Sequence, residues 1–179
     1  MNRPVLTTER LTLRPLEAGD AADLRRLIDD PIIARNTLRI PHPYPEGAAE
    51  EWIAKHNDEL KDVDEVVVAM VIRETGEFIG IMGLMPKPFD AAEIGYWLGR
   101  GYWGRGFATE AARALIRYGF EERTFNRIEA TVFSFNDASA KVLEKSGMTF
   151  EGLLRQAVRK GDDYIDVRMY SIVKSEFQR

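Results

Sequence analysis

Residues 93–111 read EIGYWLGRGYWGRGFATEA, and this stretch decides how the chain folds. Its first six residues are mostly apolar and β-forming, its centre holds spaced glycines, and its end carries alanines at helical spacing. The pattern predicts a strand, a glycine-rich turn and a helix. Glycines let the backbone approach an anion closely, and the first amides of the following helix point towards that anion. The stretch therefore predicts a cradle for a phosphate group.

The composition is that of an ordinary globular chain. Its 179 residues, 45% hydrophobic and 30% charged, suit a single domain over residues 1–179. The formal net charge of -4 argues against a general nucleic-acid-binding protein, which usually has a basic balance. The lack of cysteine excludes a cysteine nucleophile, a thiolate zinc site and a disulfide. No segment has the apolar length of a membrane span or the form of a signal peptide, so we expect a cytoplasmic protein without a membrane partner.

The order of the predicted elements indicates a mixed α/β fold. The predicted strands, which are alternating or continuously apolar, cover residues 11–14, 66–72, 78–84, 93–98, 127–133, 150–158 and 164–173. The predicted helices cover residues 20–28, 46–60, the segment that follows the glycine turn, and 136–146. Pro31 is expected to end the first helix or to start a short turn. Hairpins and crossover helices in one chain imply a mixed sheet.

Several segments in this order carry a family resemblance. They are residues 8–15 (TERLTLRP), 93–98 (EIGYWL), 103–111 (WGRGFATEA), 136–148 (NDASAKVLEKSGM), 150–155 (FEGLLR) and 166–171 (DVRMYS). Together they resemble the GCN5-related N-acetyltransferase (GNAT) superfamily and, within it, the RimJ/RimL branch of ribosomal-protein N-terminal acetyltransferases. The ordered set spans nearly the whole chain, so it is far more specific than a pair of glycines.

The sequence departs from the superfamily pattern at two positions. The phosphate-binding loop of the superfamily often opens with Gln or Arg three positions before its first glycine, whereas this chain has Gly101 there. Many members carry a tyrosine late in the second motif helix, where it acts as an acid towards the leaving thiolate. The matching position here is Leu143, so that acid is not available.

The resemblance implies both a fold and a co-substrate. The implied fold is a twisted, mostly antiparallel mixed sheet of about seven strands with about four helices, splayed between its central strands. The implied co-substrate is acetyl-CoA, with no metal. Arg100 and Arg105 are expected to add charge-assisted contacts to its phosphates. The expected acetyl-CoA-binding residues are Trp97, Leu98, Trp103, Gly104, Arg105, Gly106, Phe107, Ala108, Asn136 and Ser139.

The expected chemistry is a direct attack of a neutral amine on the acetyl group, without a covalent enzyme intermediate. A backbone amide near Trp97 and Leu98 would stabilise the oxyanion that forms. Our candidate for the general base is Glu93, with Glu151 as the second choice. A structural ion pair is the alternative role for Glu93. Ser139 is the candidate donor to the departing thiolate, with a purely structural place in the first turn of its helix as the alternative.

The acceptor site is expected between the loop at residues 34–45 and the turn around Gly161. Arg35, Asn36, Thr37 and His42 are its candidate contacts, whereas His56 is expected to be a solvated surface residue. The acceptor is predicted to be a protein N-terminal α-amine. Two alternatives stay open, namely a small-molecule amine and a non-catalytic protein that only binds CoA. The chain is also a candidate homodimer.

Overall fold

A computed structural model describes residues 4–58 and 65–177 of the chain. Its strands are β1 (Leu6–Thr7), β2 (Leu11–Arg14), β3 (Val66–Ile72), β4 (Phe78–Lys87), β5 (Ala91–Leu98), β6 (Arg127–Phe133), β7 (Thr149–Lys160) and β8 (Asp163–Val173). Its α-helices are α1 (Ala21–Ile28), α2 (Pro31–Asn36), α3 (Ala48–Asp58), α4 (Phe107–Glu121) and α5 (Asp137–Lys145). The mixed α/β class that the sequence predicts is confirmed.

The eight strands in the described part of the chain lie in one sheet, in the order β1-β2-β3-β4-β5-β6-β8-β7. Neighbouring strands are antiparallel except β5 and β6, which run parallel and are connected through α4. These two strands pair only from Ala91 with Arg127 to Glu93 with Glu129. Beyond Glu93 they separate, and a wedge-shaped opening forms in the middle of the sheet. The predicted separation of the central strands is therefore present, and it begins where the short parallel pairing of β5 and β6 ends.

The sheet separates two apolar clusters. Helices α4 and α5 cover one face, where the stripe of alanines on α4 packs against the strands. Helices α1 and α3 cover the other face. Strand β3 is buried on both sides, since Met70 belongs to the first cluster and Ala69 to the second. This explains why its sequence is continuously apolar rather than alternating.

Three sequence predictions need correction. Besides the expected strands there is the two-residue β1, and besides the expected helices there is α2. Pro31 begins α2 because proline fits the first helical position, and the Asp30 side chain accepts a hydrogen bond from Ile32 N at 2.7 Å. His56 is buried rather than solvated, with its ring stacked on that of Trp52. The predicted end of the third helix at residue 60 lies outside the described residues.

Candidate active site

The glycine loop, residues 99–106, joins β5 to α4 in the conformation that its glycines favour. Gly104 has a φ of +72° and Gly106, the N-cap of α4, has a φ of +82°, values that residues with a Cβ rarely adopt. The Glu110 amide donates the first helical bond, to Gly106 O at 3.0 Å. The amides of Phe107, Ala108 and Thr109 therefore precede the helical ladder and are available to an anion.

The start of α4 is tied to the turn between β1 and β2. One carboxylate oxygen of Glu110 accepts hydrogen bonds from Thr8 Oγ1 at 2.6 Å and from Arg10 N at 2.7 Å. The other accepts from Arg10 Nε at 2.7 Å. Burial pushes the pKa of Glu110 upwards, but these hydrogen bonds outweigh burial and hold the pKa below its ordinary value. Arg10 also donates to Arg105 O at 2.9 Å, so the glycine loop is held from outside.

The glycine loop borders a cleft that extends along β5 to the end of α2. The arginines of the loop do not point into this cleft. The Arg105 guanidinium lies over the ring of Phe107 at 4.9 Å, and Arg100 lies 3.8 Å from the Asp30 carboxylate. The loop therefore faces the cleft with its backbone at Gly104 and Gly106 and not with these guanidinium groups. Phe107 and Ala108 are buried. The Trp103 indole donates to Leu98 O at 2.7 Å and so fixes the loop on the end of β5.

The open edge of β5 presents backbone amides to the wedge between β5 and β6. Gly99 N donates to Ile79 O, on the side of β4. Successive residues of a strand direct their amides to opposite edges. The Trp97 amide therefore points towards β4, whereas the Tyr96 and Leu98 amides point into the wedge. The Leu98 amide is thus a candidate donor to an oxyanion. The Trp97 side chain packs against the ring of Phe78.

Glu93 stands where the pairing of β5 and β6 ends. Its carboxylate accepts a hydrogen bond from Thr131 Oγ1 at 3.3 Å and lies 3.5 Å from Lys87 Nζ. The Glu93 side chain is 34% exposed and borders the cleft. Both contacts are long, and the carboxylate is accessible, so it can accept a proton from a group that enters the cleft.

Glu151 is held in a different arrangement. Arg127 makes two hydrogen bonds to its carboxylate, at 2.8 and 2.6 Å, and the Ser171 hydroxyl donates a third at 2.6 Å. The hydrogen bonds from Arg127, and then that from Ser171, hold the pKa of Glu151 down at about 2. A carboxylate this acidic is a poor base, and it does not border the cleft. The geometry therefore favours Glu93 over Glu151.

The opposite face of β5 meets the first turn of α5. The Asn136 side chain caps this helix by accepting from Ser139 N at 3.2 Å. The Ser139 hydroxyl lies 2.7 Å from the Tyr96 hydroxyl, and both residues border the cleft. Burial raises the pKa of the Tyr96 phenol to about 12, and the hydrogen bond with Ser139 offsets only part of that rise. Leu143, one turn further along α5, is only 1% exposed.

The acceptor candidates divide into two pairs. Asn36 and Thr37 border the cleft. Arg35 and His42 do not border it. The Arg35 guanidinium lies over the Phe135 ring at 5.1 Å, and His42 Nδ1 lies 2.9 Å from an oxygen of Asp29.

The C-terminal end of α2 is held by Lys160, whose ammonium donates to Ala34 O, to Arg35 O at 3.2 Å and to Thr37 O at 2.6 Å.

The cleft thus joins the glycine loop, the wedge and the end of α2 in one space of about 1840 Å³. It brings Glu93, Ser139, Asn136 and the glycine loop together. Sequence reasoning missed Tyr96, Arg10 and Lys160. Alternation along β5 places Tyr96 opposite to Glu93, but its partner on α5 follows only from the packing.

Comparison with known proteins agrees with this architecture. The family pattern described as the Acetyltransferase (GNAT) domain matches residues 10–149. A Bacillus licheniformis protein named uncharacterized N-acetyltransferase p20 is 38% identical over 174 residues, which cover 96% of this chain and 97% of that protein.

Two solved structures share the fold at lower identity. RimL, the ribosomal L7/L12 alpha-N-protein acetyltransferase in complex with coenzyme A, has a TM-score of 0.81 at 24% identity, covering 95% of this chain and 96% of that one. A spermidine N-acetyltransferase SpeG chimera from Vibrio cholerae and hSSAT has a TM-score of 0.78 at 24% identity, covering 94% and 98%.

The splayed sheet and the glycine loop at a helix start define a GNAT fold. The chain belongs to the GNAT acetyltransferase family, and it is an N-acetyltransferase with acetyl-CoA as its donor. None of the helices in residues 4–58 and 65–177 combines the length and the apolar character that a membrane span requires.

Proposed function

We propose that this N-acetyltransferase acts on protein N-terminal α-amines, of the kind that the RimJ/RimL branch modifies. The observation that carries the proposal is the position of Glu93 and of the Tyr96–Ser139 contact on opposite faces of β5, at the place where β5 and β6 separate. An acceptor that reaches Glu93 from one face therefore meets a thioester that lies near Ser139 on the other.

The donor side follows from the glycine loop. The amides of residues 104–108 and the start of α4 bind the pyrophosphate of acetyl-CoA. Trp103 keeps the loop against β5, and Arg105 contributes mainly its backbone. The arm of the co-substrate then runs along the open edge of β5, past Leu98 and Trp97, towards Ser139. Asn136 borders this path while its side chain caps α5.

The transfer needs one base and one donor to the leaving group. The amine nitrogen attacks the acetyl carbon, a C–N bond forms, and Glu93 takes the proton that the nitrogen loses. The Leu98 amide stabilises the charge on the carbonyl oxygen. The C–S bond then breaks, its electron pair stays on sulfur, and the Ser139 hydroxyl donates a hydrogen bond to the thiolate. The proton on Glu93 passes to solvent, and solvent protonates the thiolate.

An α-amine fits this site better than a lysine side chain does. The pKa of an α-amine is about 7.7–8.0, whereas that of lysine is about 10.4. A carboxylate is a weak base, so it serves an amine that is already partly neutral near pH 7.5. The cleft runs without interruption from the glycine loop to the end of α2, so acetyl-CoA and the acceptor share one space.

The test is acetylation of a panel of acceptors followed by mass spectrometry. The panel contains peptides with varied free N-termini, the same peptides with a blocked N-terminus and an internal lysine, and spermidine. We expect one acetyl group on the free N-termini and little on the others. Preferred acetylation of spermidine would establish a small-amine enzyme instead. Binding of acetyl-CoA without any turnover would establish the non-catalytic alternative.

Glycine variants test the donor site separately. Gly104→Val combined with Gly106→Val forces a β-branched residue into the left-handed region twice, so we expect acetyl-CoA binding to be lost. Gly101→Val is the matched control, because a Cβ at this position meets no atom within 4 Å. Undiminished binding by the double variant would contradict the assignment of the loop.

Three wider statements belong to the same proposal. Residues 1–179 act as one acetyltransferase domain, the enzyme works in the cytoplasm where nascent ribosomal proteins are available, and it forms a homodimer. Size-exclusion chromatography with light scattering measures the last of these directly, and a monomer at micromolar concentration would contradict it.

A further inference from the structure

The Tyr96 side chain reaches from β5 to the first turn of α5 and meets Ser139 there. The distance between the two hydroxyl oxygens is 2.7 Å, whereas the Tyr96 hydroxyl lies 3.4 Å from the Ser139 carbonyl oxygen. The contact with the side chain is therefore the stronger one. Both residues border the cleft, so the pair packs against the protein on one side and faces the cleft on the other.

We propose that Tyr96 is a positioning residue that holds the Ser139 hydroxyl as a hydrogen-bond donor to the departing CoA thiolate. The inference rests on the proposed function, because it assigns the thioester to the space beside Ser139. It goes beyond it by naming the group that makes Ser139 effective.

A serine hydroxyl has a single proton to donate. The hydroxyl rotates freely, and its proton goes to whichever acceptor is nearest. If the Tyr96 hydroxyl donates to Ser139 Oγ, the serine proton is free to point into the cleft. A chain of two hydrogen bonds also polarises its members, so the terminal donor becomes stronger.

The Tyr96 phenol keeps a proton that it can donate to Ser139. Burial keeps the phenol protonated, because a buried phenolate would lack solvation. The hydroxyl of Ser146, at the C-cap of α5, donates to Val142 O at 2.7 Å and is directed elsewhere. Leu143 offers no polar group to the cleft. Tyr96 and Ser139 together thus supply a hydroxyl donor at the first turn of α5.

The first experiment measures kinetics with the acceptor preferred by the wild-type enzyme. Ser139→Ala and Tyr96→Phe are each expected to lower kcat by about tenfold or more, the factor that a hydrogen bond to a charged group represents, with KM for acetyl-CoA unchanged within about twofold. The double variant is expected to be no slower than Ser139→Ala, since Tyr96 acts through Ser139. Additive losses would overturn the inference.

The matched control is Tyr170→Phe. Tyr170 is also buried, and its hydroxyl donates to Glu144 at 3.1 Å, but it does not border the cleft. We expect this variant to lose stability without losing kcat. If Tyr170→Phe slowed the enzyme as much as Tyr96→Phe, a general packing effect would explain both and the inference would be wrong.

The second experiment needs no acceptor, so it separates this inference from the proposed function. Binding of CoA and of desulfo-CoA, which lacks the sulfur, is measured by calorimetry at about pH 9.5, above the ordinary thiol pKa of about 8.5. We expect the wild-type protein to prefer CoA by about tenfold. Ser139→Ala should abolish that preference, Tyr96→Phe should reduce it at least about threefold, and Tyr170→Phe should keep it.

The two hypotheses then fail in different ways. A full preference for CoA in Tyr96→Phe, or none in the wild-type protein, overturns the role of Tyr96. A preference that follows the expected pattern, together with no transfer to any N-terminus, upholds the role of Tyr96 and refutes the N-terminal acceptor.

Discussion

Arg10 and Glu110 lie 100 positions apart in the chain, and their side chains meet at 2.7 Å. Arg10 stands in the turn between β1 and β2, and Glu110 stands in the first turn of α4. Through this contact an edge of the sheet holds the start of α4, where we propose that the phosphates of acetyl-CoA bind. The Arg10 guanidinium also lies over the Phe107 ring at 4.5 Å, so it covers the outer side of the loop.

The first prediction concerns this pair. Glu110→Ala removes the acceptor of hydrogen bonds from Thr8 and from Arg10, so we expect a stability loss of about 2 kcal/mol and a several-fold higher KM for acetyl-CoA. kcat should change little, because Glu110 is remote from the reacting atoms. Urea unfolding and steady-state kinetics measure both effects. Glu121→Ala, an exposed position on the same helix, is the control; equal losses there would contradict the prediction.

The second prediction concerns the general base. Glu93→Gln keeps the shape of the side chain but cannot take a proton, so kcat should fall by about 10²–10⁴. The loss should shrink as pH rises, because hydroxide can then take the proton from the attacking nitrogen in place of Glu93. Rate measurements from pH 6 to 10 check this. Glu129→Gln is the control, because Glu129 lies opposite Glu93 on the neighbouring strand β6. An equal loss in this variant would refute a specific role for Glu93.

The third prediction follows from the lowered pKa of Glu151. The folded value of about 2 lies below the ordinary value of about 4.3, so the group contributes stability above pH 4.3. That stability is lost as pH falls from about 4.3 to about 2. Because the side chain is 39% exposed, solvent screening limits the effect to about 1 kcal/mol.

The measurement is urea unfolding at pH 6 and at pH 3. Glu151→Gln should be less stable than the wild-type protein at pH 6, and the difference should narrow at pH 3. Glu122→Gln is the exposed control. A difference that widens on acidification would contradict a lowered pKa of Glu151 in the folded protein.

The fourth prediction concerns Lys160, which ties the turn between β7 and β8 to the end of α2. Burial lowers the pKa of Lys160, and its ammonium satisfies three backbone carbonyls of residues 34–37. Lys160→Met keeps the apolar stem but removes all three bonds. We expect a higher KM for the acceptor with KM for acetyl-CoA unchanged. Lys174→Met, at an exposed site, is the control; an effect confined to acetyl-CoA would contradict the assignment.

Much of the fold was predictable from local sequence. The left-handed φ of Gly104 and Gly106, the cap of α5 by Asn136 and the doubly buried β3 each depend on a few neighbouring residues. Backbone sterics, capping and apolar periodicity act over such short distances. The same local signals predicted the position of the cradle.

The partners of the polar side chains were not predictable in this way. Alternation places Tyr96 and Glu93 on opposite faces of β5, but Ser139 is 43 positions from Tyr96. The sequence allows Glu151 to be a base, but Arg127 binds its carboxylate in the fold. The sequence also allows His56 to be a surface residue, but α3 turns its side chain inwards.

By itself, therefore, the sequence determined that a strand, a glycine loop and a helix follow one another, because those conformations depend on residues that are adjacent in the chain. Only the tertiary structure decided which carboxylate stays accessible, which hydroxyls meet and which arginine holds the loop. Those relationships depend on strand register and on the point where β5 and β6 separate, and both are set by the packing of the whole sheet.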